Sequence, residues 1–545
     1  MSSPHQVVFP AYRPSVQGLH GVIASGDALA SQAGIQIMQA GGNAVDAAIA
    51  TAAALGVVEL PMSGVGGDGF IMIYDAESQQ VFGVNATGLA PAAATREGYL
   101  ERGGIPMKGM LSVSVPGLVD GWLLAHERFG KRSLGDVLAP AIDLSERGFP
   151  VGHKLAAMLA EEHEDFSSDP FTSAIFEPAG RPLAAGEILV QRDLGTTLRK
   201  IAESGRAAFY EGDIARQVAQ FSQDYDGLIT EADLGGFNAR WDEPIHVDYH
   251  GHRVYEMPPN SSGHVLLQEL NLIECFDIAG MGCLSAESIH VMVEAKRLAF
   301  ADREAFMADP DWVDVPIDGL LSKEYASERA REIDFNRVNI EVSPGAPEQD
   351  EDTTCFCVAD GQGNAVCMLQ SIQMGFGSKL IAGDTGILLN NRMTYWHLEE
   401  EHVNCLAPGK RVRHTMNPVI VTRDDRPVII CGTPGADTQV QTNLQLLTHA
   451  IHFNMTPQEA VEAPRWRSMQ NPMESTVPHT CDNLLQLEGR FDAPARDGLE
   501  ARGHVLDMLG DWGGPGNAQF ISVDRETGAM VGGSDPRRDG YAIAY

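Results

Sequence analysis

The chain has 545 residues, 44% of them hydrophobic, so it can bury a large core, and length alone allows about three or four domains. Its 39 Lys and Arg face 74 Asp and Glu, a formal net charge of -35. Such a field repels nucleic acid and anionic lipid, which argues against partners of either kind, and a substrate carboxylate would need a local cation to hold it.

The opening stretch, MSSPHQVVFPAYRPSVQGLHGV, has neither a charged n-region nor a continuous apolar core, so a cytoplasmic location is the default expectation. Residues 27–40 carry helical periodicity and stop at Gly41-Gly42, after which Asn43 can cap a second, Ala-rich helix. The apolar run Ala47 to Val58 is too short to span a bilayer and is bracketed by Asp46 and Glu59, so it reads as a buried helix. Glycines at 64, 66, 67 and 69 then lead into FIMIYDA, a strand by its β-branched and aromatic content. From 117 to 220 the pattern is mainly helical, and 285–308 predicts one long helix. The segment 343–352, SPGAPEQDED, is polar and broken by proline, and is expected to be exposed and mobile. After it the character changes: TTCFCVAD, NAVCMLQSIQ, PVIVTRDD and PVIICGTPG read as strands, with Asp360 to Asn364 as a hairpin turn. The eight cysteines include no C-x-x-C pair, and only Cys355 and Cys357 are close, at strand spacing, so reduced, buried thiols are expected.

Several apparent motifs are discounted. Gly64, Gly66 and Gly69 satisfy G-x-G-x-x-G, but a strand follows where a dinucleotide site needs a helix, so a tight turn with close backbone approach is the better reading. His126-Glu127 lacks the second histidine of a zinc helix, His250 and His252 read as ordinary polar strand positions, and Asp309, Asp311 and Asp314 lack the Gly and Glu of a calcium loop.

Asp352-Thr353-Thr354 would mean little alone. Its surroundings, DTTCFCVADGQGNAVCMLQS, GDTGILLNN at 383–391 and GTPGADTQ at 432–439, resemble the γ-glutamyltransferase family of N-terminal nucleophile hydrolases. The resemblance runs nearly the whole chain, through AGGNAVDAA at 40–48, SGVGGDGF at 63–70, LAPAAAT at 89–95, VPGLVDGW at 115–122, MPPNSSGH at 257–264, KRLAFADR at 296–303 and GGSDPRRDG at 532–540. It implies an α+β, four-layer αββα sandwich, cut by its own chemistry into a helix-rich large subunit, 1–352, and a strand-rich small subunit, 353–545, that stay together as one compact domain. The pieces would form a heterodimer, with a dimer of heterodimers as a further option.

In that chemistry the Thr353 hydroxyl attacks the Asp352 carbonyl, water opens the resulting ester, and Thr353 is left with a free α-amine. An α-amine titrates near 7.7 to 8.0, where a general base is useful, so one residue supplies nucleophile and base. The resemblance places the backbone N–H groups of Gly435 and Ala436 at the oxyanion, Ser371 where a hydroxyl orients the nucleophile, and Gln373 against the acyl group. It calls for no cofactor and no metal.

The family's glutamyl recognition uses an arginine for the α-carboxylate, an acid for the α-amine and a serine pair. At those positions this chain has Thr87, Tyr395, and His414 with Thr415. Arg392 stands where many relatives have glutamine; with Arg413 or His414 it could fork onto a carboxylate, or it could sit in a structural ion pair. The stretch 391–415 is shorter than in relatives with a lid loop, which predicts an open pocket walled by Tyr395 and Trp396. The expected function is therefore hydrolysis of a small carboxylate-bearing amide that lacks the α-amino acid head. The rivals are a γ-glutamyl hydrolase or transpeptidase on glutathione-like donors, and an unprocessed binding protein.

Overall fold

The structure, a computed structural model, describes residues 10–339, 353–472 and 474–545. The acidic segment 343–352, with Asp352 and so the carbonyl side of the proposed cut, lies outside the described residues.

Fourteen strands form two seven-stranded antiparallel sheets. In chain order they are β1 (Val16–Gly18), β2 (Gly21–Ser25), β3 (Asp68–Asp75), β4 (Gln80–Ala86), β5 (Arg240–Asp242), β6 (Ile245–Tyr249), β7 (His252–Glu256), β8 (Thr354–Asp360), β9 (Ala365–Ser371), β10 (Val419–Arg423), β11 (Arg426–Gly432), β12 (Gln519–Val523), β13 (Met530–Ser534) and β14 (Tyr541–Ala544). The first sheet runs β14-β2-β8-β9-β3-β4-β5 and the second β1-β13-β12-β11-β10-β7-β6. Each mixes strands from both sides of residue 353, which is why the two parts make one body.

Alternation sorts the side chains into three apolar layers. Phe356, Val358, Val366 and Met368 point outward from the first sheet into a core shared with helices α1 (Ala28–Gln39), α2 (Ala44–Val58), α3 (Leu118–Phe129) and α4 (Leu134–Arg147). Cys355, Cys357, Cys367 and Leu369 point the other way and meet Ile420, Ile430 and Ile521 between the sheets. Beyond the second sheet, Val419, Val421 and Phe520 pack under α5 (Gly263–Ile273), α6 (Ala286–Phe306) and α7 (Thr438–Phe453). The result is the αββα sandwich.

Local signals explain the helix pair. Asp27 accepts from Leu29 N at 2.7 Å to start α1, and Asn43 with Asp46 closes a capping box at α2. Every residue of α2 is buried, as its apolar run requires. At Gly34 an added Cβ would lie 2.3 Å from Thr51 Oγ1, so the pair packs tightly there. The hairpin turn falls where expected: Gly363 N donates to Asp360 O at 3.1 Å, and the Asp360 carboxylate accepts from Gln362 N and Asn364 N. All eight cysteines are free, but not all are buried: Cys275 is exposed and Cys283 and Cys405 are half-buried, since they lie outside the sheets. No helix among the described residues is long and apolar enough to cross a membrane.

Candidate active site

Three neighbouring strands in the middle of the first sheet have their ends side by side. Thr353 immediately precedes β8, Ser371 ends β9, and Asp68, which pairs with Ser371 in the ladder, begins β3. Thr353 is 3% exposed, and its Oγ1 donates to Ser371 Oγ at 3.3 Å. Ser371 Oγ in turn accepts from Gln373 N at 2.8 Å, which fixes the hydroxyl between Thr353 and the loop. Thr354 Oγ1 donates to Glu59 Oε2 at 2.6 Å, tying the strand start to the end of α2.

The glycine run before β3 lets backbones approach closely. A Cβ on Gly66 would lie 2.2 Å from Leu388 O, and one on Gly67 2.2 Å from Ser371 O. This is the tight-turn reading of those glycines, and it sets the height of Ser371.

After β11 the chain turns at Gly435 (φ +122°) and Ala436 (φ +41°) and enters α7. At Gly435 an added Cβ would meet Thr438 Oγ1 at 2.4 Å, so glycine is required by space as well as by φ. With the Gln439 amide oriented to donate to Thr415 O and Asn417 Oδ1, its oxygen faces Ala436 N at 3.3 Å, a length with which an oxyanion can compete. Asp437 anchors the turn from behind: its carboxylate accepts from Ser475 N at 2.7 Å and Ser475 Oγ at 2.9 Å and pairs with Arg303. Burial works against ionising Asp437, but Arg303 overrides it and holds the carboxyl below its ordinary value.

The residues expected to read the acyl group are present but closed off. Gln373, Tyr395, Trp396, His414 and Thr415 are each at most 2% exposed, which corrects the open pocket inferred from a short 391–415 stretch. The covering element is a strap at 475–479. Thr476 Oγ1 accepts from Gln373 Nε2 at 3.1 Å, Val477 N donates to Thr394 O at 2.9 Å, and His479 Nε2 lies 3.0 Å from Trp396 O.

Arg392 forks onto Asp68, with Nη2 to Oδ1 at 3.0 Å and Nε to Oδ2 at 3.2 Å, so the structural ion pair is what its donors make. His414 Nε2 also reaches Asp68 Oδ2 at 3.1 Å. Burial pushes the Asp68 carboxyl up, but Arg392 and His414 together hold it at about 2; burial, then the Arg392 charge, pulls His414 down to about 4. Arg413 lies 2.9 Å from Glu304. Tyr395 Oη shares a hydrogen bond with Thr415 Oγ1 at 3.2 Å, and Thr87 is locked between Asn85 and Asn260. Sequence reasoning missed Asp68, Glu59, Asp437 and the strap. Asp68 stands inside SGVGGDGF, but its partners are more than 300 residues away.

Beside the Gly435 turn opens a cleft of about 560 Å³, lined by Gly435, Thr438, Glu59, Met62, Arg467 and Trp512 among others. Among the described residues, two groups bring three metal-type donors together, Cys355/Cys357/Cys367 and Glu304/His397/His402. In the second, Arg413 already sits on Glu304 and Asn404 N donates to His402 Nδ1 at 3.0 Å, which leaves the proton on the Nε2 that an ion would need. The first is sealed between the sheets.

A layered αββα body with a threonine heading a central strand is the architecture of the N-terminal nucleophile hydrolases. The profile of the family described as Gamma-glutamyltranspeptidase matches residues 30–545. "Glutathione hydrolase-like YwrD proenzyme" of Bacillus subtilis (strain 168) is 39% identical over 97% of this chain and 99% of its own. "Acylase ACY 1 proenzyme" of Pseudomonas sp. (strain SE83) is 34% identical over 99% and 96%. The crystal structure of cephalosporin acylase from Bacillus halodurans superposes with a TM-score of 0.91 at 35% identity, covering 100% of this chain and 99% of that one. The chain belongs to the gamma-glutamyltranspeptidase family.

Proposed function

We propose that this protein is a proenzyme that cuts itself between Asp352 and Thr353 and then hydrolyses a small carboxylate-bearing amide through a Thr353 acyl-enzyme. The observation that carries the reading is the Thr353 Oγ1 to Ser371 Oγ hydrogen bond at the head of β8, and the positive-φ turn at Gly435 and Ala436 after β11 supports it. Relatives along the whole chain bear the names of proenzymes, both hydrolases and acylases.

In maturation the Thr353 hydroxyl adds to the preceding carbonyl, the peptide nitrogen leaves as the new α-amine, and water opens the ester. In turnover that amine takes the hydroxyl proton as Oγ1 attacks the substrate amide. The oxyanion is met by the N–H groups of Gly435 and Ala436, the amine departs with the proton, and water releases the acid. Ser371 orients Oγ1, and Gln373 faces the acyl chain. A glutamyl head group would find Tyr395 in place of an acid and Thr87 in place of an arginine, so its two charges would go unpaired at a cost of a few kcal/mol each.

Intact mass under denaturing conditions tests the cut. Wild type is expected as two fragments parting before Thr353, and Thr353→Ala as one chain; an uncut wild type would sink the reading. A second reading, a glutathione hydrolase, is favoured by the name of the Bacillus subtilis relative. Glutathione turnover matching that of an amide without the α-amine would establish it.

A further inference from the structure

Building on that proposed function, we infer that the substrate carries its carboxylate on the leaving amine, clamped by Arg467 in the cleft beside Gly435, and that its acyl half is uncharged.

Each arginine named on the acyl side already has a carboxylate beside it, although Arg413 Nη1 makes no hydrogen bond among the described residues. Both Arg392 donors that face Asp68 are used, Arg413 is on Glu304, and His414, drawn down to about 4, is neutral at physiological pH with Nε2 against Asp68. What remains there is Tyr395, Thr415 and the Gln373 amide, whose Oε1 has no hydrogen-bond partner among the described residues. These groups suit a neutral chain or a single donor, and a carboxylate would face Asp68 across an already balanced pair.

The cleft is different. Gly435 and Thr438 form part of its wall, and Glu59, which holds Thr354, forms another, so it opens beside the turn proposed to meet the oxyanion. Among the described residues its cations are committed, with one exception. Arg537 is bonded to Glu488 at 2.6 and 2.7 Å and to Asp535 at 3.1 Å, Lys154 pairs with Asp539 at 3.3 Å, and Arg538 rests on Met62 Sδ. Arg467 makes no side-chain hydrogen bond among the described residues, and its nearest carboxylate, Glu474, stands off at 3.8 Å. Burial and then Asp437 push Glu474 up to about 7, so this neighbour is only partly ionised near neutrality. The acids on the cleft are Asp27, which accepts from Leu29 N, Glu59, Asp539, and Glu161 on the exposed rim. Arg467 lines this cleft, and a guanidinium without a hydrogen-bonded partner there fits a carboxylate. Met62, Met158, Phe149 and Trp512 supply apolar wall, which fits an apolar or aromatic side chain on the same amine. The class this defines is the N-acyl apolar amino acid.

The matured enzyme is assayed with N-butyryl-L-phenylalanine, its C-terminal carboxamide, and glutarylaniline, which moves the carboxylate to the acyl half. The expected result is a kcat/KM at least tenfold higher for the acid than for the carboxamide, expressed in KM, with glutarylaniline slower than both. Arg467→Met should bring the acid-to-carboxamide ratio to within threefold of one, and Arg467→Lys should restore part of it. Glutarylaniline turning over faster than N-butyryl-L-phenylalanine, a ratio unmoved by Arg467→Met, or a cut chain that hydrolyses none of the three would overturn the inference. A wild-type chain that stays whole, or turnover that survives Thr353→Ala, would instead overturn the proposed function beneath it.

Discussion

Asp68 shows how much one buried carboxylate can organise. It neutralises Arg392, orients His414 and begins the strand that pairs with Ser371, all at 0% exposure. Asp68→Asn would leave the guanidinium buried without a counter-charge, and a loss of about 3–5 kcal/mol is expected in denaturant unfolding of the uncut Thr353→Ala chain. The same cluster sets a pH dependence. His414 titrates at about 4 when folded against roughly 6.5 when unfolded, so the unfolded chain binds more protons between those values. Its contribution to stability is complete above about 6.5 and is lost as pH falls toward 4; Asp68, lowered to about 2, adds loss only below about 4. His414→Gln should flatten the slope of unfolding free energy between pH 6.5 and 4 by about one proton, and an unaltered slope would refute this. In the sequence Arg392 could be read either as a substrate anchor or as half of an ion pair. Nothing local distinguishes these, because the partner that decides it is 324 residues away.

At the scale of elements, the strands on either side of the hairpin were legible because a strand covered on both faces reads as a nearly continuous apolar run. The apolar residues of TCFCVAD and AVCMLQS divide between two cores, and Ser371, at the end of the second strand, is the exception that the site uses. The helix pair was legible through its caps. The strap was not: MESTVPHT has no period, and its hold on Gln373, Thr394 and Trp396 comes from single hydrogen bonds that leave no pattern. Removing one is expected to matter for chemistry more than for stability. Thr476→Val, which deletes the acceptor of Gln373 Nε2, should lower kcat/KM about tenfold while shifting unfolding by about 1 kcal/mol. The glycine turn makes the opposite forecast. Gly67→Ala would drive a Cβ to 2.2 Å from Ser371 O and part β3 from β9, so both soluble yield and the fraction of cut chain on a denaturing gel should collapse.

Over the whole molecule, the order of layers followed from the family resemblance, while the division of strands between the two sides of residue 353 did not. Of the fourteen strands in the two large sheets, seven precede Thr353 and seven follow it, and both sheets combine strands from the two sides. Size-exclusion chromatography of fully cut protein should therefore give a single native peak holding both fragments, separable only in denaturant. Independent elution of the two would contradict the interleaving.

β8 lies inside the first sheet, between β2 and β9, and Thr353 sits at its head with 3% exposure. In the proposed maturation Thr353 therefore meets Ser371 only after distant parts of the chain have found one another. On that proposal each severed molecule carries a permanent record that it once folded correctly, whereas a misfolded one stays whole. The ratio of cut to uncut chain in a cell extract would serve as a tally of folding success, readable long after the event.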